Sequence, residues 1–124
     1  MVAIIPLWDT ATTINATAAI TSGAIDQVRS SGYCSLLVVL AGTTKSVNIT
    51  LTVAKSATDT FYSSVDTDGN SLATIYSGLD ASAWIQFSPI VTPFFKITIT
   101  GTATNGVDTT AQAYLMFPEI AGMA

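Results

Sequence analysis

The sequence predicts an all-β chain, folded as a two-sheet antiparallel β-sandwich or jelly roll with an extended N-terminal arm. Three observations predict it. From Tyr33 onward apolar residues recur with period two, which places them on one face of an extended strand. Gly, Asn, Asp and Pro punctuate these runs at short intervals, as turns between strands require. No stretch of a dozen residues carries a 3.6-residue period, so helix is limited to a short turn near Leu79 to Ala83.

Taken in chain order, Val2 to Leu7, Ala16 to Ile20 and Ala24 to Val28 are short, weakly patterned strands. Cys34 to Leu40 is apolar on both faces, with Leu36, Val38 and Leu40 on one side and Leu37 and Val39 on the other. That pattern marks a strand covered twice, either central in a sheet or lying under a neighbouring subunit. Ser46 to Ala54 alternates most clearly, Val47, Ile49, Leu51 and Val53 opposing Asn48, Thr50 and Thr52. Phe61 to Val65, Leu72 to Tyr76 and Ala83 to Phe87 follow as weaker strands. Phe95, Ile97 and Ile99 then alternate with Lys96, Thr98 and Thr100. Ala111, Ala113, Leu115 and Phe117 alternate in the same way with Thr110, Gln112, Tyr114 and Met116. Because Asn105-Gly106 tolerates the positive φ of a tight turn, these last two strands are expected to pair as a hairpin. Val47, Ile49, Leu51, Val53, Ile97, Ile99, Leu115 and Phe117 are expected to line one core.

At 124 residues and 12.9 kDa the chain is long enough for one core and too short for two. Residues 1–23 are read as an N-terminal arm or edge strand and residues 24–124 as the sandwich. Thr10 to Ala19 offers Ile14 as its single large apolar side chain before Ile20, preceded by the compact group Ile4, Ile5, Leu7 and Trp8. These five residues are the expected contact to a neighbouring subunit, and the segment is expected to serve binding more than its own domain's folding.

Composition excludes several functions. Four Lys and Arg against eight Asp and Glu leave a net charge of −4, so a phosphate backbone or an anionic membrane surface is not an expected partner. Histidine is absent, which removes the commonest general base and metal ligand and every Ser-His-Asp or Cys-His arrangement. Cys34 is the one cysteine and sits in an apolar run, as a buried inert thiol does. The longest apolar run, Leu36 to Ala41, falls far below the roughly 18 residues of a membrane helix, and the N-terminus lacks a basic region. Charged residues make up 10% of the chain, against roughly 25% in an average soluble domain. With 20 Thr and 12 Ser, the surface is either hydroxyl-coated or hidden against other subunits.

Asp66-Thr67-Asp68-Gly69-Asn70 has the oxygen spacing of part of a calcium loop but lacks the downstream bidentate Glu, and Asp-Gly between β runs is explained as a turn. Asp59 and Asp80 join such a site only if folding brings them near. Trp8, Tyr62, Tyr76, Trp84 and Tyr114 are candidates for a sugar platform, but aromatics on strands are more often core or interface anchors. The sequons at Asn15 and Asn48 are chance matches in a chain so rich in Thr. No catalytic, cofactor-binding or metal-ligating residue is assigned, and the chain is not expected to be an enzyme.

In order and style the chain resembles the small β-sandwich decoration, or cement, proteins of tailed-bacteriophage virions. The resemblance runs through Ser30-Ser31-Gly32-Tyr33-Cys34-Ser35-Leu36-Leu37-Val38-Val39-Leu40-Ala41-Gly42-Thr43, the strand Val47 to Val53 and the turn Asp68-Gly69. It continues through Pro93-Phe94-Phe95-Lys96-Ile97-Thr98-Ile99-Thr100-Gly101-Thr102 and Thr109 to Phe117, covering residues 24–117. Similar proteins that bind carbohydrate often follow the Asp-Gly turn with a Trp, where this chain has Ser71-Leu72-Ala73. The resemblance implies a virion structural protein on the capsid exterior, made in the host cytoplasm. It further implies a homotrimer that clamps a major capsid protein lattice without cofactor, nucleic acid or membrane. A tail, neck or baseplate component is the alternative, and a carbohydrate- or receptor-binding module is a third.

Overall fold

The computed structural model describes residues 2–14, 18–26, 33–88, 92–102 and 108–118. Among them the chain is all-β, with no helix. Nine strands form: β1 (Val2–Thr13), β2 (Ala19–Thr21), β3 (Ile25–Asp26), β4 (Cys34–Ala41), β5 (Val47–Ala54), β6 (Thr74–Leu79), β7 (Ala83–Phe87), β8 (Phe94–Gly101) and β9 (Thr110–Pro118). One sheet runs β1-β9-β4-β7; the other runs β2-β8-β5-β6, with β3 also on β8, and every pairing is antiparallel.

The pairings are nested, first with last: β1 with β9, β2 and β3 with β8, β4 with β7, β5 with β6. A long antiparallel ribbon wound so that alternate pairs fall in opposite sheets is a jelly roll. The winding overturns the expected β8–β9 hairpin. β8 lies between β5 and β2 in one sheet, whereas β9 lies between β1 and β4 in the other. Both strands still turn their apolar row inward, because facing each other across the sandwich satisfies the same alternation as pairing side by side. Asn105-Gly106 lies outside the described residues.

The interior is formed by those rows. Val47, Ile49 and Leu51 from β5, Phe95, Ile97 and Ile99 from β8, Leu36, Val38 and Leu40 from β4, and Leu115 and Phe117 from β9 are all buried. Val53, expected among them, keeps the inward register opposite buried Phe95 and packs against the core, but near the end of β5 it is only half-buried, and Ala54 beside it is buried as well. Phe61 to Val65 is not a strand. It touches the sheet at Tyr62, whose N–H and C=O both bond Val53 at 2.9 Å, and it is tied again by a bridge between Val65 and Ser71. Leu79 to Ala83 forms no helical turn; Leu79 closes β6 and Ala83 opens β7.

Residues 2–13 form the edge strand of this domain's own sheet, paired with β9 from Val2↔Pro118 to Thr13↔Thr110. Ile14 follows with its side chain wholly inside the core. On the opposite sheet, Ser22 fills the gap between β2 and β3. Its N–H bonds the Ile97 carbonyl at 2.8 Å and its Oγ accepts the Ile97 N–H at 2.9 Å, so the β8 ladder continues through a side chain.

Candidate assembly surface

The side chains that alternate with the core rows of the β1-β9-β4-β7 sheet form its outer face. Register brings Pro6 opposite Tyr114, Tyr114 opposite Leu37, and Leu37 opposite Trp84, so one row of apolar and aromatic side chains crosses all four strands. Ile4 and Met116 flank it, and Val39 lies beside Leu37 two residues along β4. Trp84 is 61% exposed and Ile4 62% exposed, while Leu37, Val39, Tyr114 and Met116 are half-buried against one another. Among the residues of these four strands Asp9 alone carries a charge. A monomeric protein rarely leaves such a contiguous apolar face in water, because each exposed apolar Å² costs roughly 25 cal/mol relative to burial.

The five residues expected at an interface are divided by the fold. Ile4 is exposed on this outer face. Ile5, Leu7 and Trp8 are partly buried and pack against the domain's own core: Ile5 and Leu7 alternate inward with outward Ile4 and Pro6, and the register shift after Pro6 brings Trp8 opposite buried Ala113. Ile14 is at 0% exposure in the core and is unavailable to a partner in this fold. Tyr114, one of the aromatic candidates, and Met116, which is not among the five, both sit in the outward set of the alternation on β9. Leu37 and Val39 are the second apolar face of β4 that the sequence shows, and that face is where the row forms.

The aromatic candidates do not converge. Trp84 and Tyr114 share the outer row on either side of Leu37, Trp8 packs on the core, and Tyr62 and Tyr76 lie on the side of the other sheet. Tyr62 is 68% exposed beside a cleft of about 400 Å³ lined by Ala54, Lys55, Asp59 and Thr60. Lys55 and Asp59 approach to 3.8 Å across that cleft, an exposed pair of small energetic value. Next to it, Lys96 Nζ sits 4.3 Å from the Phe61 ring centroid.

The Asp66 loop is a closed turn. Asp66 Oδ1 accepts the N–H groups of Asp68 and Asn70 at 2.9 Å each, Oδ2 accepts Asn70 Nδ2 at 3.3 Å, and Gly69 takes φ of 84°. The Asn70 main-chain N–H, the largest influence, with the further donors of the loop, holds the Asp66 carboxyl below its ordinary pKa. Asp108 is lowered in the same way by the Thr43 hydroxyl and then the Thr43 N–H, which reach its Oδ2 at 3.0 and 3.1 Å. Both carboxylates are turned onto their own chain. Among the described residues no three His, Cys, Asp or Glu side chains gather as a metal site does.

No protein-family model matches this chain, and no curated protein matches it. Among solved structures the chain is similar to one titled "Structure of infectious bursal disease virus Gx strain", at 13% sequence identity and a TM-score of 0.49. The match covers 94% of this chain and 31% of that one, so this chain spans under a third of the length of the neighbour. At that identity the likeness concerns chain path alone.

Proposed function

We propose that the chain is a virion structural protein, and specifically a capsid decoration subunit that seats the outer face of its β1-β9-β4-β7 sheet on a lattice of major capsid protein. The observation that carries this reading is the uncharged row Pro6–Tyr114–Leu37–Trp84. An apolar, nearly charge-free face suits permanent packing, where no charge has to be desolvated. The net charge of −4 suits the outside of a DNA-filled shell, and jelly rolls are frequent building blocks of capsids. The mechanism is non-covalent clamping: a subunit bridging adjacent capsid proteins adds buried area at their junction and so resists internal pressure.

Mixing the purified chain with undecorated head shells and with tails tests this reading. Co-sedimentation with heads, raised heat resistance of the shells and loss of both in Tyr114→Lys are expected. Binding to tails and not to heads makes the chain a tail, neck or baseplate component. Binding to neither removes the assembly reading. A second reading, glycan or receptor binding, is favoured by the cleft at Tyr62, where an exposed ring lies beside Lys55, Asp59 and Thr60. It requires a monomer that binds a glycan array and loses that binding in Tyr62→Ala.

A further inference from the structure

Among the described strands β7 closes the β1-β9-β4-β7 sheet on one side, with no strand beyond it. Its main-chain directions follow from Ser82, whose Oγ accepts the Leu40 N–H at 2.9 Å and donates to the Leu40 carbonyl at 3.3 Å. Leu40 therefore turns its N–H and C=O toward β7. By antiparallel alternation Val38, Leu36 and Cys34 do the same, facing Ala83, Ile85 and Phe87. Trp84 and Gln86 are the remaining residues, and their N–H and C=O groups point away from the sheet.

Native sheets blunt such edges with Pro, charge, bulges or brevity. The other edges here carry these devices. β1 has Pro6, Asp9 and two register shifts; β6 has two register shifts against β5 and Gly78 at φ of 72°; β2 and β3 are three and two residues long. β7, Ala-Trp-Ile-Gln-Phe, has no Pro, no charge and no register shift against β4.

We propose that the free edge of β7 pairs with β7 of a second copy of this chain, antiparallel about a twofold axis at Ile85. In that register Trp84 of each copy lies opposite Gln86 of the other, and the pair exchanges four main-chain hydrogen bonds. The inward Ile85 side chains meet at the axis and extend the core. Trp84 and Gln86 lie on the outer face, so two four-stranded faces join into one eight-stranded apolar face. A second copy is the occupant that the chemistry favours: the edge is uncharged and self-complementary, so an identical edge meets it without like-charge repulsion, and a twofold needs no second kind of surface. The contact is short, below the area of a standard stable interface, so pairing is concentration-dependent in solution and gains on any lattice that holds two copies close. It does not depend on the virion reading. The resemblance implied a trimer, and this edge instead makes pairs.

Sedimentation equilibrium of the full chain over a wide concentration range tests the proposal. The mass is expected to rise from 12.9 kDa toward twice that value, with little dependence on salt. Gln86→Pro removes an N–H that β4 does not use, and the variant is expected to stay at 12.9 kDa while keeping its β-sheet circular dichroism. Trp84→Lys, at an exposed site that the fold does not need, sets like charges diagonally across the axis and is expected to weaken pairing at least about tenfold. It decides the matter if Gln86→Pro fails to fold. Slowed amide exchange at Trp84 and Gln86 with rising concentration is the direct signature. A monomer at every soluble concentration, a trimer as the sole associated species, or a dimer indifferent to the variants overturns the proposal. A chain that pairs through β7 but ignores shells keeps it and overturns the decoration reading.

Discussion

Ile14 donates its main-chain N–H to the Thr109 carbonyl at 2.8 Å, and both side chains are fully buried. The bond extends the β1–β9 ladder one residue beyond Thr13↔Thr110 and locks the end of the N-terminal strand into the sandwich. Thr109 is itself satisfied through its hydroxyl, which donates to the Thr44 carbonyl at 2.9 Å. Three segments distant in sequence thus close on one buried point.

Deleting residues 1–14 should therefore abolish cooperative unfolding of the domain, since it strips β9 of a strand partner and leaves a hole at Ile14. Ile14→Ala alone should cost about 2 to 5 kcal/mol. Denaturant unfolding followed by circular dichroism measures both. A truncated chain that unfolds as cooperatively as the full one makes β1 dispensable to folding and restores the arm reading.

Leu51→Ala should also cost about 2 to 5 kcal/mol, because Leu51 is buried between Ile97 on β8 and the opposite sheet and the site cannot collapse fully. Val53→Ala should cost clearly less, being half-buried. Equal losses in reversible unfolding contradict the partial exposure of Val53 at the end of β5.

Ser22→Ala should destabilise by about 1 to 3 kcal/mol, out of proportion to one lost hydroxyl, because it leaves the buried Ile97 N–H without its acceptor. Amide exchange at Ile97 should accelerate in the variant. An unchanged rate there removes the role assigned to Ser22.

Gly42 has φ of 130°, and an added Cβ meets Thr109 Cα at 3.0 Å and the Asp108 carbonyl at 3.1 Å. Gly42→Ala should accordingly cost about 1 to 3 kcal/mol through backbone strain, with further loss from the collision. A melting temperature equal to that of the parent chain contradicts this packing.

Asp66 and Asp108 both have pKa values lowered by folding, so each favours the folded state above the unfolded value and loses that contribution as pH falls through the folded one. Stability should hold steady from neutral pH to about pH 5 and decline below about pH 4. In Asp66→Asn and Asp108→Asn the decline should be shallower. Urea midpoints at pH 6 and pH 3 check it, and an undiminished decline in both variants places the acid sensitivity elsewhere.

Alternation was legible in the sequence because it is a local property: a strand half in the core must place an apolar side chain at every second residue. The core rows of β4, β5, β8 and β9 and the two-sheet sandwich followed from it, and the Asp68-Gly69 turn followed from its residue types, which are equally local. Pairing was not legible, because side-chain period two is satisfied whether two inward rows sit side by side or face each other. Only the packed structure put β8 and β9 in opposite sheets. The same reason governs the candidate surface. Leu37 and Tyr114 each showed which face of their strand they occupy, but a row running Pro6–Tyr114–Leu37–Trp84 exists through register among four strands far apart in sequence. Ile14 is the reverse case, a lone Ile in a small-residue stretch whose composition suggested an arm. Its burial depends on β9 and Thr109 closing over it, contacts made across 95 residues of chain that no local pattern encodes.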